Sequence, residues 1–143
     1  MNNKLEITIN MIVHATENIS KITEPFMEIF DIEEESFSKT ETTGYFDNPI
    51  IMLNTKLVKK QAKIFLKKFL DLLSEPQINQ LIEEIEERTE DSKFHLRLDK
   101  QEFVQGILEF SQKDTIKIKI HTPVYNKKNT HEVFSELFHS HLD

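Results

Sequence analysis

The chain has 143 residues, a formal net charge of −7, no Cys and only two Gly. That length is about one domain with a core of its own, and the lack of Cys removes disulfides, thiol catalysis and Cys-based zinc sites. Two glycines cannot build a dinucleotide or P-loop phosphate cradle. The acidic balance excludes a broad polyanion-binding field, although acids gathered at Asp31 to Glu35 and at Glu83 to Asp91 leave room for a local basic face.

No apolar run approaches the roughly 20 residues that span a bilayer. The opening MNNKLEITIN lacks a signal-peptide layout, so the expected compartment is the cytoplasm. Leu5, Ile7, Ile9, Met11 and Val13 alternate with Glu6, Thr8, Asn10, Ile12 and His14, which predicts a central or near-central strand. Thr16 stands as the N-cap of a helix carrying Ile19, Ile22, Phe26, Ile29 and Phe30. Pro25 either kinks that helix or divides it, with Thr23 capping a second segment.

Glu35 to Thr43 reads as an exposed or edge strand, and Gly44 to Pro49 (GYFDNP) as turn chemistry. Ile50 to Leu57 reads as a strand buried on part of both faces, so the two strands make a hairpin-like pair. Val58, Ala62, Phe65, Leu66, Phe69, Leu70 and Leu73 form the stripe of a strongly amphipathic helix. Its opposite side carries lysine: Lys56, Lys59, Lys60, Lys63 and Lys67 fall mostly along one exposed flank. Ser74 and Gln77 make a capping box, with Pro76 in the first turn, for a helix whose inner side is Ile78, Leu81, Ile82 and Ile85. Its outer side is acidic, and Arg88 suits its C-terminal dipole.

Two patterns cross in FHLRLDKQEFVQG, from Phe94 to Gly106. Phe94, Leu96 and Leu98 alternate with His95, Arg97 and Asp99, a half-buried strand. Asp99 with Glu102 then starts a short helical turn that Gly106 closes with positive φ. Arg97, Lys100 and Gln101 are expected to be displayed together at this junction. Ile107 to Phe110 and Thr115 to Thr122 read as strands joined by SQKD, and Asn129 to Leu142 as a capped amphipathic helix using Val133, Phe134, Leu137 and Phe138. With no repeat, linker or low-complexity stretch, residues 1–143 are expected to be one α+β domain.

Clustered cations release counterions when they neutralise phosphates, so Lys59, Lys60 and Lys63 are candidate contacts; a solubilising flank is the alternative. Arg97 suits a two-point phosphate clamp and Lys100 a point contact, with pairing to Asp99 and nearby glutamates as their alternative. Tyr45 and Phe46 either stack on unpaired bases or anchor their turn on the core. His139 and His141 would point about 200° apart on a helix, which with His131 makes a poor metal site. Glu83 to Asp91 lacks the pattern of a calcium loop and reads as a solvated face. His14, beside Thr16 and Glu17, has no nucleophile with an orienting partner. No catalytic, cofactor-binding or metal-ligating residue is expected.

HATE at His14 to Glu17, TGYFDNPI at Thr43 to Ile50, Arg88, and RLDKQ at Arg97 to Gln101 with Gly106 after it occur in that order. In these motifs the chain resembles an archaeal RNA-binding family whose members are described as candidate exosome subunits. The resemblance spans nearly the whole length. It implies a ribosomal-protein L-five-like α+β fold, with a curved, mainly antiparallel sheet and helices packed on it, and no enzymatic activity. Family motif positions fall on His14, Thr16, Glu17, Gly44, Asn48, Pro49, Arg97, Asp99, Lys100 and Gln101. The family usually has a second glycine where this chain has Asp47, which implies a stiffer loop.

The expected function is therefore RNA binding without catalysis or cofactor, in association with the exosome or other RNA-processing proteins. The expected contacts are Lys59, Lys60, Lys63, Arg97, Lys100, Gln101, Tyr45, Phe46 and Asn48. The rival is a protein-interaction module that docks a basic partner through the acidic helix from Gln77 to Glu90. Oligomeric state is left open.

Overall fold

The computed structural model describes residues 4–44, 47–123 and 129–139. Its strands are β1 (Glu6–His14), β2 (Ser38–Thr43), β3 (Pro49–Val58), β4 (Thr89–Glu90), β5 (Lys93–Asp99) and β6 (Thr115–His121). Its helices are α1 (Ile19–Phe30), α2 (Lys59–Leu72), α3 (Glu75–Glu83), α4 (Ile85–Arg88), α5 (Lys100–Val104) and α6 (Thr130–His139). The fold is α+β, with one six-stranded antiparallel sheet in the order β2-β3-β1-β6-β5-β4. β1 thus holds the central place that its alternation predicts. No helix among the described residues is long and apolar enough to cross a membrane.

The chain gathers into two compact units, Met1–Ile7 with Leu57–Leu96 and Lys119–Asp143, and Thr8–Lys56 with Arg97–Ile118. In the first, Phe94 lies 5.6 Å from Phe134 and 5.0 Å from Phe138, ring centre to ring centre. α6 packs on α3 and α4. The capping box is present in both directions: Gln77 N–H donates to Ser74 Oγ at 3.2 Å, and Ser74 N–H to Gln77 Oε1 at 2.9 Å. The helix expected to run on from there divides at Glu84, which leaves helical geometry. Arg88 binds the Glu84 carboxylate at 2.8 Å and the His95 carbonyl at 3.4 Å, which ties the last turn to β5. Asp91 and Ser92 are both left-handed (φ 51° and 59°), as a two-residue hairpin turn of the primed type requires, and set Glu90 opposite Lys93.

In the second unit, Phe26 lies 4.5 Å from Phe103 and 5.2 Å from Phe37. Ile9, Met11, Val13, Leu53, Leu98, Ile116 and Ile118 are buried with them. The cap of α1 is Asn18, whose side chain accepts from Ser20 N–H at 2.9 Å, and not Thr16. The shift has a local cause: Glu17 N–H bonds to His14 O and the Glu17 carboxylate folds back to His14 N–H, so residues 14–17 are spent on a turn. Pro25 lies inside a continuous α1, so the helix is not divided there; the Thr23 hydroxyl bonds back to Ile19 O at 3.1 Å instead of capping.

β2 is exposed at every residue and pairs antiparallel with β3 from Ser38↔Asn54 to Thr43↔Pro49, as the hairpin expectation had it. β3 keeps partial burial of both faces only at its start, where Ile50 and Ile51 are half-buried; beyond them Leu53, Thr55 and Leu57 are inside, whereas Met52, Asn54 and Lys56 are exposed. Val58, expected in the stripe of α2, is exposed because β3 runs directly into the helix through a left-handed Lys59 (φ 52°). Ile107 to Phe110 forms a single bridge, Leu98↔Phe110, and no strand. Ile107 N–H still bonds to Glu102 O, so this stretch begins as the closing turn of α5.

Candidate nucleic-acid interface

The turn after β5 forms as its residues dictate. Asp99 caps α5 by accepting from Glu102 N–H at 2.9 Å, and Gly106 closes it at φ 81°. Within that short helix Lys100 and Phe103 are three positions apart and share one face, and both are fully buried. An ammonium has three donors. Lys100 places all of them, on Ile12 O at 2.7 Å, Glu17 Oε1 at 2.9 Å and Asp114 Oδ1 at 2.9 Å. The expectation that Lys100 is displayed beside Arg97 is therefore corrected: its partners leave no donor for a phosphate.

The cluster joins motifs that lie far apart in the chain. Gln101 is exposed, with its amide 3.4 Å from both Glu17 Oε2 and Asp114 Oδ2. His14 Nε2 stands 3.9 Å from Asp114 Oδ1. Burial pushes the Asp114 carboxyl up, but the hydrogen bond and charge of Lys100, with Gln101 and His14, more than reverse this and hold it below its ordinary value. Asp114 is itself left-handed (φ 45°), and its carbonyl accepts Lys100 N–H at 3.2 Å. Backbone and side chain together fix this carboxylate.

Beside the cluster, the outer residues of the same strands surround a shallow depression of ≈ 290 Å³. β1 contributes Asn10, Ile12 and His14, β3 Met52, β5 Arg97, and β6 Thr115 and Lys117, with Gln112 and Asp114 on the loop before β6. That is near the lower edge of the roughly 300–1,000 Å³ of small-molecule sites. Ile12 and Met52 are 41 % and 46 % exposed, while Arg97 and Lys117 are exposed and form no salt bridge among the described residues. The face thus combines apolar floor, unpaired cations and one fixed carboxylate.

The remaining candidates lie elsewhere in the chain. Lys59 and Lys60 are exposed, Lys63 is half-buried, and all three belong to the first unit, whereas Arg97, Lys100 and Gln101 belong to the second. Lys67, on the same flank, pairs with Asp71 at 3.5 Å. Tyr45 and Phe46 lie outside the described residues. Asn48 is exposed, and its carbonyl closes the turn by accepting Gly44 N–H at 2.8 Å. A Cβ on Gly44 would collide with the Ile50 side chain, which would have to shift to make room for it. Asp47 is left-handed (φ 60°), a conformation that Asp tolerates better than most residues. His131 and His139 are exposed, and His141 lies outside the described residues.

Sequence reasoning missed Asp114 and Lys117 as site residues, and Glu17 as the partner of Lys100. One signal was present for Lys100, its three-residue spacing from an apolar Phe103 in a short helix. Nothing local marks Asp114.

The same residues bring the chain into known company. A model of a family described as RNA binding matches residues 6–122. An uncharacterised protein of Methanocaldococcus jannaschii is 33 % identical over 144 residues, covering 95 % of this chain and 96 % of that one. An RNA-binding protein of Pyrococcus abyssi is 30 % identical over 129 residues, covering 85 % and 84 %. A solved structure from Methanothermobacter thermautotrophicus matches at a TM-score of 0.74 and 26 % identity, covering 96 % of this chain and 97 % of that one. With its HATE and RLDKQ motifs meeting around one buried lysine and a family model spanning most of its length, the chain belongs to this archaeal RNA-binding family.

Proposed function

We propose that the chain is a non-enzymatic RNA-binding domain that uses the open sheet face around Arg97 and Lys117 to hold RNA phosphates. The observation that carries this is the contrast in pairing state. Lys100 spends its charge inside, whereas Arg97 and Lys117 stay exposed without an acid partner among the described residues. An unpaired guanidinium keeps its two-pronged fork for a phosphate. Lys59 and Lys60, also exposed, are a further set of phosphate contacts, with Lys63 beside them, while Tyr45 and Phe46 are candidates for stacking on unpaired bases and the exposed Asn48 for a polar contact. The family description supports RNA as ligand. Work alongside the exosome or another RNA-processing assembly follows from the resemblance, and that work in the cytoplasm is part of the same proposal.

Salt dependence tests it. Each phosphate contact steepens the fall of log affinity with log salt by about one unit, so Arg97→Glu with Lys117→Glu should weaken RNA binding and flatten that slope by about two. Lys59→Glu with Lys60→Glu should do the same independently. Unchanged RNA retention in both double variants overturns the proposal. It would favour the rival, a basic protein partner docking on Glu83, Glu86 and Glu87, which the acidic segment leaves exposed.

A further inference from the structure

Phosphate contacts explain the cations on the open sheet face but not the rest of its depression. Ile12 and Met52 are apolar side chains left wet beside a carboxylate whose position is fixed from both its backbone and its side chain. Resting on the RNA-binding reading above, we propose that this depression seats one unpaired base that offers amino donors, guanine before any other, with the Asp114 carboxylate accepting from its edge.

The chemistry runs from the residues. An ionised carboxylate only accepts hydrogen bonds, and each of its oxygens has two lone pairs. Asp114 Oδ1 is held by Lys100 at 2.9 Å, and among the described residues Oδ2 has only the Gln101 amide at 3.4 Å. The side chain is 43 % exposed and lines the depression, which leaves acceptor capacity for a ligand seated there. Guanine presents N1–H and the N2 amino group side by side, a match for two carboxylate oxygens. Adenine and cytosine each present one amino group. Uracil sets carbonyl oxygens on either side of its single N–H, and these repel the carboxylate. Ile12 and Met52 supply the apolar contact for the face of the ring, and Arg97 and Lys117 hold the flanking phosphates. Inside a duplex that base edge is already paired, so the seat selects single strands.

The test is fluorescence anisotropy of the full chain with a labelled short oligouridine, the same oligomer carrying one central guanosine, an inosine version that lacks the N2 amino group, and a duplex of the guanosine strand. The guanosine oligomer is expected to bind roughly tenfold more tightly than oligouridine, with inosine between them and the duplex showing no guanosine advantage. Asp114→Asn should remove the preference for guanosine and leave the salt slope unchanged. Should that variant fail to fold, Ile12→Ser with Met52→Ser leaves the Lys100 cluster intact and should also collapse the preference. Equal, salt-dependent affinity for all single strands overturns the seat and leaves the phosphate reading standing. No binding to any oligomer at low salt overturns both.

Discussion

The Lys100 ammonium donates to the Glu17 carboxylate at 2.9 Å across 83 residues of chain. The bond makes the HATE and RLDKQ stretches one structural unit, anchored inside by a cation and presenting Arg97 outside. A buried ammonium without partners costs several kcal/mol, so each of the three acceptors helps to hold Lys100 inside. It fixes where the turn after β1 and the start of α5 stand, and with them one end of the open face.

Lys100→Met should therefore behave as a folding variant. Removing the cation leaves the Glu17 and Asp114 carboxylates facing each other, and the expected loss is about 2–4 kcal/mol, the lower part of that range because Asp114 is 43 % exposed. Urea denaturation measures it. At a temperature where the variant is still folded, the salt slope of RNA binding should match the wild type, since Lys100 touches no phosphate. A slope flattened by about one unit would show that it does.

Acid should act through the same cluster. The folded-state pKa of Asp114 lies below its ordinary value of 3.8. A depressed carboxyl stabilises the fold above its unfolded-state pKa, and that stability is lost as pH falls through the folded-state one. Glu34 runs in the same direction, held low first by its hydrogen bond from Lys39 and then by that from Thr23. Denaturation midpoints followed into acid should fall for the wild type, and the gap between wild type and Asp114→Asn should narrow. A constant gap would mean that the carboxylate's charge contributes nothing.

The two glycines should fail for different reasons. Gly44→Ala drives a Cβ into Ile50, and overpacking of this kind costs about 1–3 kcal/mol. Adding Ile50→Val removes the methyl group nearest the clash and should restore part of the loss. Gly106 has open space around it but a φ of 81°, so Gly106→Ala should cost about 1–2 kcal/mol through backbone strain, and Gly106→Asn less. Thermal denaturation of the four variants separates steric from conformational cost.

What the sequence by itself determined about this protein is what near neighbours settle: the alternation that centres β1, the Ser74 capping box, the Asp99 cap and Gly106 turn, and the outward side of Arg97. Each depends on residues within a few positions, where stereochemistry and hydrogen-bond reach act directly. Only the tertiary structure decided that Lys100 goes in, that β3 opens one face, and that Asp114 and Lys117 line the same depression as Arg97. A charge enters a core only when distant groups supply its partners. Glu17 and Asp114 become neighbours of Lys100 through chain folding, a placement that no local pattern around Lys100 contains.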